Sequence, residues 1–245
     1  MLTYPQMAHF PIVTRRRIRT VINRASDGRM FKLADPANNV TEWSLKYRDL
    51  SDAEAGALQQ FFVAAEGSLN EFVFVDPTAN LLAWSGKLDE PVWERDPMLE
   101  VSTLEDGVTR LTNTGTARQA ITQTIDGPTD YTYCFSFYAR SANSPFLWLM
   151  ADGEVREQAI IPGWRRLRWS GRVEEATFGI DIEAGGVVDV RGLQVEPQAG
   201  PSTPQTSIGG GIYKGAHFLG DEIKLVATGL NRHACTVHIV HANHI

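Results

Sequence analysis

Tyr131-Thr132-Tyr133-Cys134-Phe135-Ser136-Phe137-Tyr138-Ala139 puts the aromatic side chains of 131, 133, 135 and 137 on one face of an extended chain. A period of two marks a strand with one side in a core. Working outward, Phe146 to Met150, Trp164 to Trp169, Phe178 to Ile182 and Val187 to Val195 repeat the theme as short strands parted by Gly, Pro, Asn and Asp turns. No helical period breaks the run between about residues 79 and 204. Closely spaced strands of this kind predict a β-sandwich or jelly roll.

On the amino-terminal side the texture differs. Asp27-Gly28 is a tight-turn signal, and Trp43, Leu45 and Tyr47 alternate with Ser44, Lys46 and Arg48 as a half-buried strand. Ser51-Asp52-Ala53-Glu54 is a capping box, in which the serine hydroxyl serves the fourth residue's amide and the glutamate reaches back. It predicts a helix of about four turns, with Leu58, Phe62 and Ala65 on one face and Gly67 at its stop. Glu71 to Val75 reads as a strand ended by Asp76-Pro77. Near the carboxy-terminus, Ile223 and Leu225 alternate with Lys224, and Cys235, Val237 and Ile239 alternate with Thr236 and His238, predicting two last strands. The stiff segment from Pro197 to Pro204 and the flexible Gly209-Gly210-Gly211 precede them. So few strands cannot bury a core alone. The expected organisation is therefore mainly β: a split β-sandwich or barrel with one α-helix, formed by residues 1–78 and 205–245, interrupted by an inserted jelly roll at 79–204.

Charge follows the same division. The chain of 245 residues has a net charge of −6, which disfavours a general nucleic-acid binder. Residues 79–204 hold 11 basic and 18 acidic side chains, so this region supplies a net −7 and the remainder +1. Residues 1–33 carry seven basic side chains against Asp27 alone. A 43% hydrophobic, 21% charged composition excludes disordered and fibrous classes. No window approaches a membrane span, and the first residues lack a secretion leader, so the expectation is synthesis and retention in the cytoplasm, with no membrane insertion. Cys134 and Cys235 make neither a disulfide framework nor a metal spacing.

Chemistry-bearing candidates are few. Nucleophile-elbow, dinucleotide, Walker, zincin and CxxC motifs are absent. His233, His238, His241 and His244 suggest a metal cluster only if helical, and their local pattern is a strand, which favours a solvated tail or subunit contact. Asp181, Glu183 and Asp189 could pair for glycoside hydrolysis or hold calcium, against the simpler reading of a solvated sheet face. Arg15, Arg16, Arg17 and Arg19 lack interleaved aromatics. They read as an edge strand whose long side chains meet an acidic neighbouring subunit, or as a solvated edge. Trp84 and Trp93 lie in irregular sequence and are the candidate sugar platforms, because an indole face stacks on a sugar ring. Trp164 and Trp169, five apart on a strand, point to opposite faces, so at least one belongs to the core. No cofactor is implied.

The order of features resembles a family. Pro5, the arginine-rich strand, Asp27-Gly28-Arg29, the Trp43-to-Tyr47 strand, Leu50 to Glu54, Phe61-Phe62, Gly67, Phe72-Val73-Phe74 with Asp76-Pro77, then Tyr213, Phe218, Asp221-Glu222 and the last strand are similar to the distal tail and related minor tail proteins of long-tailed bacteriophages, prophages and gene-transfer agents. The resemblance covers about half the chain, in two pieces. Asn80-Leu81-Leu82, Tyr131 to Ala139, Gly163 to Arg166, Val187 to Val190, Gln194-Val195-Glu196 and Ser202-Thr203-Pro204 resemble carbohydrate-binding jelly-roll modules carried by phage tail proteins, whose sugar contacts no motif fixes. The resemblance implies a non-enzymatic virion part: a hexameric ring joining the tail tube to the hub and tail-tip proteins, assembled in the host cytoplasm, with an outward module for host cell-surface glycans. A stand-alone glycan-binding protein and, further off, a polysaccharide hydrolase stay open as alternatives.

Overall fold

The computed structural model describes residues 2–5, 8–129 and 131–243. In chain order, β1 (Leu2–Thr3), β2 (His9–Arg24), β3 (Met30–Leu50), the helix α1 (Asp52–Ala64) and β4 (Phe72–Val75) come first. Ten strands follow: β5 (Glu94–Arg95), β6 (Leu99–Thr103), β7 (Thr109–Asn113), β8 (Gln119–Thr124), β9 (Thr132–Arg140), β10 (Phe146–Ala151), β11 (Glu154–Ala159), β12 (Arg165–Arg172), β13 (Thr177–Ile182) and β14 (Val187–Glu196). The last are β15 (Ile212–Phe218), β16 (Val226–Gly229) and β17 (Arg232–Asn243). The fold is mainly β, and two compact units divide it: residues 1–74 with 213–245, and residues 75–212.

In the first unit a seven-stranded sheet runs β1-β4-β15-β17-β3-β2, with β16 also on β17. Trp43, Leu45 and Tyr47 of β3 and Cys235, Val237 and Ile239 of β17 are buried, as their alternation predicts. α1 covers this face. Its cap is the expected box: the Ser51 hydroxyl accepts the Glu54 amide at 3.2 Å and the Ser51 amide donates to Glu54 at 2.8 Å. The Ser51 amide and the Ser51 hydroxyl both donate to the Glu54 carboxylate and hold it below its ordinary range. The buried stripe is Ala55, Leu58, Phe61 and Ala65, so Phe61 takes the place expected for Phe62. Phe61 meets Tyr4 and Phe72 edge-on at centroid distances of 5.5 and 5.1 Å, whereas Phe62, half-buried, touches Phe218 at 4.9 Å.

Two expectations change here. Residues 223–225 are not a strand; Ile223 and Leu225 pack half-buried against the core, and pairing with β17 begins at Val226. The arginine-rich strand and the Trp43 strand are longer than read, 16 and 21 residues. The register jumps from Arg17↔Val40 to Arg19↔Asp35, a bulge containing Pro36, which is where a strand tolerates proline. β17 is paired with β3 as far as Asn39. Beyond that register β2 and β3 continue as a two-stranded ribbon closed by the turn at 25–29.

The second unit is a sandwich of two five-stranded sheets, β12-β9-β14-β7-β6 in front and β11-β10-β13-β8-β5 behind. Tyr133, Phe135 and Phe137 of β9 face Leu147, Leu149, Phe178 and Ile180 of the back sheet in one buried cluster, with Phe135 and Phe178 rings 5.7 Å apart. Burying each such side chain contributes about 1.5 to 3 kcal/mol. The incoming and outgoing segments of this unit run side by side: the Asp76 amide donates to the Gly211 carbonyl, Trp84 to Ile208 and Ser85 to Ser207.

One buried side chain ties that seam. The Asn80 carboxamide donates to the carbonyls of Leu193 and Gln205 and accepts from the amides of Leu82 and Val195, all within 2.8 to 3.1 Å. Truncation would orphan four backbone groups at once, so Asn80→Ala is expected to cost about 3 kcal/mol. Urea unfolding of variant and parent checks this; a cost below about 1 kcal/mol would remove Asn80 from this role.

Candidate functional site

The outer surface of the front sheet collects the densest group of chemistry-bearing side chains. Register places Arg166 of β12, Tyr138 of β9 and Arg191 of β14 in one row across three strands. The next row holds Arg140, Asp189 and Arg110 on β9, β14 and β7. Trp164, just before β12, has two guanidiniums over its ring: Arg140 at 4.6 Å and Arg191 at 4.4 Å from the ring centre. Arg191 and Arg166 also stand 5.7 and 5.6 Å from the Tyr138 ring. The result is a continuous ladder, Arg140, Trp164, Arg191, Tyr138, Arg166. Each cation–π contact contributes about 0.5 to 1 kcal/mol at an exposed site.

Asp189 anchors one end. Arg110 donates to both its carboxylate oxygens, at 2.7 and 3.1 Å, and Arg140 adds a third bond at 3.1 Å. Burial alone would push the Asp189 carboxyl up; the bonds from Arg110 and Arg140 outweigh it and hold the group below its ordinary range. The Ser141 hydroxyl donates to the Val187 carbonyl beside this pair. Arg110, Arg140, Ser141, Asn143, Pro162 and Asp189 line a concavity of about 280 Å³.

The other end of the same face is closed by the chain itself. Gln194 donates to Glu196 and the Ser202 carbonyl and accepts from the Gln205 amide, while Glu196 accepts from the Ser202 amide and Gln198. The Gln-x-Glu element is thus a clamp for the outgoing segment. It buries Cys134 and Ser136, which alternate outward on β9, and burial pushes the Cys134 thiol up. Gly192, at φ +62°, makes this close approach possible, because an added Cβ would sit 3.0 Å from Pro204.

The residues singled out from sequence are placed as follows. Trp93 is 4% exposed in the core, its ring nitrogen donating to the Trp84 carbonyl at 3.2 Å; the expectation of an exposed platform is corrected, since a packed indole offers no face to a sugar. Trp84 is half-buried with the Lys87 ammonium 5.5 Å from its ring. Trp169 is core and Trp164 is on the outer surface. Arg15 and Arg17 pair with Glu42, and Arg19 with Asp35 at 3.4 Å. Three of these arginines thus meet carboxylates of β3 within the chain, in exposed pairs worth about 0 to 1 kcal/mol. Arg16 has no carboxylate within 4 Å among the described residues.

The carboxylates do not converge. Asp181 lies on β13 of the back sheet, 3.4 Å from Arg118, and burial raises its pKa despite that arginine; Asp189 lies on the front sheet. Glu183 follows β13 half-buried. Among the described residues no three His, Cys, Asp or Glu side chains gather as metal ligands. His233 contacts Asp52 at 2.7 Å and His241 the Lys214 carbonyl at 3.1 Å, His238 is exposed, and His244 lies outside the described residues. Cys134 and Cys235 are free and buried; burial pushes Cys235 up to about 11. Among the described residues no helix is long and apolar enough to cross a membrane.

No family model matches the chain, and no curated protein sequence matches it. Among solved structures it is similar to a CBM4 structure (18% identity, TM-score 0.35, covering 46% of this chain and 98% of that one). It is also similar to the CBM22-1 xylan-binding domain of Paenibacillus barcinonensis Xyn10C (14%, 0.37, 51% and 97%) and to the enzymatically active domain of bacteriophage CBA120 tailspike protein 4 (15%, 0.37, 50% and 22%). At such scores the weight of a functional reading falls on the chain's own geometry.

Asp189→Asn keeps the shape and removes the charge. With Arg110 and Arg140 each more than a third exposed, solvent screens the loss to about 1 to 2 kcal/mol at neutral pH. A carboxyl held low when folded stabilises above its unfolded value near 3.9, and that contribution fades as pH falls through the folded value. Denaturation of both proteins from pH 7 to pH 2 should show the gap closing in acid; a gap independent of pH would contradict the ion-pair account.

Proposed function

We propose that the protein is a non-catalytic, self-assembling component of a phage-type tail tip, its first unit building a hexameric ring and its second unit serving as a peripheral binding module. The observation that carries this is the ribbon beyond Asn39. Ile22 and Met30 on one face and Phe31 and Leu33 on the other are each more than half exposed. An isolated two-stranded ribbon is marginal in water, and apolar side chains on both of its faces suit burial against further chains. Such arm-to-body contacts are heterologous and close into a ring when repeated by rotation. The order of sequence features shared with distal tail proteins supports the same reading, and supplies the tail tube and hub as its neighbours.

Solution mass and negative-stain images test it. A ring of six has a mass of about 163 kDa, six times 27.2 kDa. Phe31→Ser with Leu33→Ser is expected to leave the thermal transition within a few degrees and shift the protein to monomer. A parent that stays monomeric at every concentration, or a variant that assembles as the parent does, overturns assembly through the ribbon. A monomer with affinity for polysaccharide would instead favour a stand-alone binding protein.

A further inference from the structure

The ladder face has a charge opposite to the body that carries it. Six of the 11 basic residues of the 79–204 region, Arg110, Arg140, Arg166, Arg168, Arg172 and Arg191, point outward from the front sheet. Asp189 occupies Arg110 and Arg140. Glu196 is committed to the outgoing segment, and Glu100 sits at the β6 edge, two strands from β14. Arg166, Arg168 and Arg191 have no carboxylate within 4 Å among the described residues. The Arg166 Nε is buried without a partner, while its Nη2 donates to Ser136 Oγ at 3.0 Å.

The stacking decides what such a face can hold. Trp164 already has the guanidiniums of Arg140 and Arg191 over its ring, 4.6 and 4.4 Å from the centre, so a sugar ring laid there competes with two cations that favour an anionic ligand. A guanidinium laid against a ring keeps its N–H donors in its own plane, where they form a fork that fits a carboxylate or sulfate. Stacking also restrains the arginines, which lowers the ordering cost on binding. Arg166 and Arg191 are on strands flanking β9, hence about 10 Å apart at the backbone. That spacing suits a chain with repeated anionic groups better than one isolated ion.

We infer that this face binds an acidic polysaccharide, reading the carboxylates or sulfates of successive residues through Arg191, Arg166 and Arg168. The inference rests on the second unit being a binding module. Nucleic acid is the less suitable polyanion: base stacking wants open aromatic platforms, whereas both rings of the ladder, Trp164 and Tyr138, already carry guanidiniums.

Affinity electrophoresis or calorimetry of the full chain against polygalacturonate, neutral mixed-linkage β-glucan and duplex DNA tests it at low and high salt. Binding to polygalacturonate is expected, weakened at least tenfold by salt as screening requires, with none to the neutral glucan. Arg166→Ala with Arg191→Ala should lose at least tenfold in affinity. Arg168→Ala, at an exposed position outside the stack, should lose severalfold with an unchanged thermal transition, which separates lost contacts from lost fold. Binding to β-glucan alone would overturn the acidic ligand and keep the module. DNA bound as tightly as polygalacturonate would overturn the polysaccharide assignment, and no binding to any of the three would overturn the module along with it.

Discussion

An inserted unit must leave and re-enter its host at one place, and in this chain the hydrogen-bonded seam between residues 76–85 and 207–211 meets that requirement. Everything distinctive about the second unit follows from it. The outgoing segment has to return across the front sheet from the end of β14 to the start of the seam. The polar groups of Gln194, Glu196 and Asn80 are spent on guiding it. That crossing divides the outer face into a covered half and an open half, and the arginines and aromatics of the open half are what remain for other molecules.

Forces of quite different size cooperate here. The sandwich core contributes on the order of 10² kcal/mol in gross burial, nearly all offset by chain entropy. The ladder's contacts are each about a hundredfold smaller. They do little for global stability, yet they set the orientation of five long side chains that would otherwise sample many rotamers. The asymmetry has a sign as well: an acidic body with a basic face has a dipole, and a diffusing anion meets that face preferentially at low salt.

Periodicity made much of this legible. The alternation at Tyr131 to Phe137 and at Trp43 to Tyr47 gave the buried faces of both units, and Ser51 with Glu54 gave the helix start, because each rests on local geometry alone. What periodicity does not encode is which strands become neighbours. Trp164, Arg166 and Arg168 share a face by simple alternation, as do Tyr138 with Arg140 and Asp189 with Arg191. Only the order β12-β9-β14 brings the three sets into one ladder. Trp93 shows the complementary limit, since irregular sequence around an indole says nothing about whether a loop folds inward over it. The ribbon is not encoded in periodicity because Pro36 is a residue that ordinarily interrupts a strand, whereas here it sits in a bulge within one continuous strand.

The outer edge of β2 is the open margin of the seven-stranded sheet, and a long bare strand edge is the usual template for fibre growth. Arg15, Arg16, Arg17 and Arg19 occupy that margin, and two copies aligned edge to edge would press like charges together along its length. Glu42 and Asp35 offset part of this charge from one side only and leave the margin basic. The same arginines therefore act as gatekeepers: they keep a concentrated pool of chains from zipping into amyloid-like stacks. The exposed apolar side chains of the ribbon, Ile22, Met30, Phe31 and Leu33, thus adjoin a margin that resists edge-to-edge pairing.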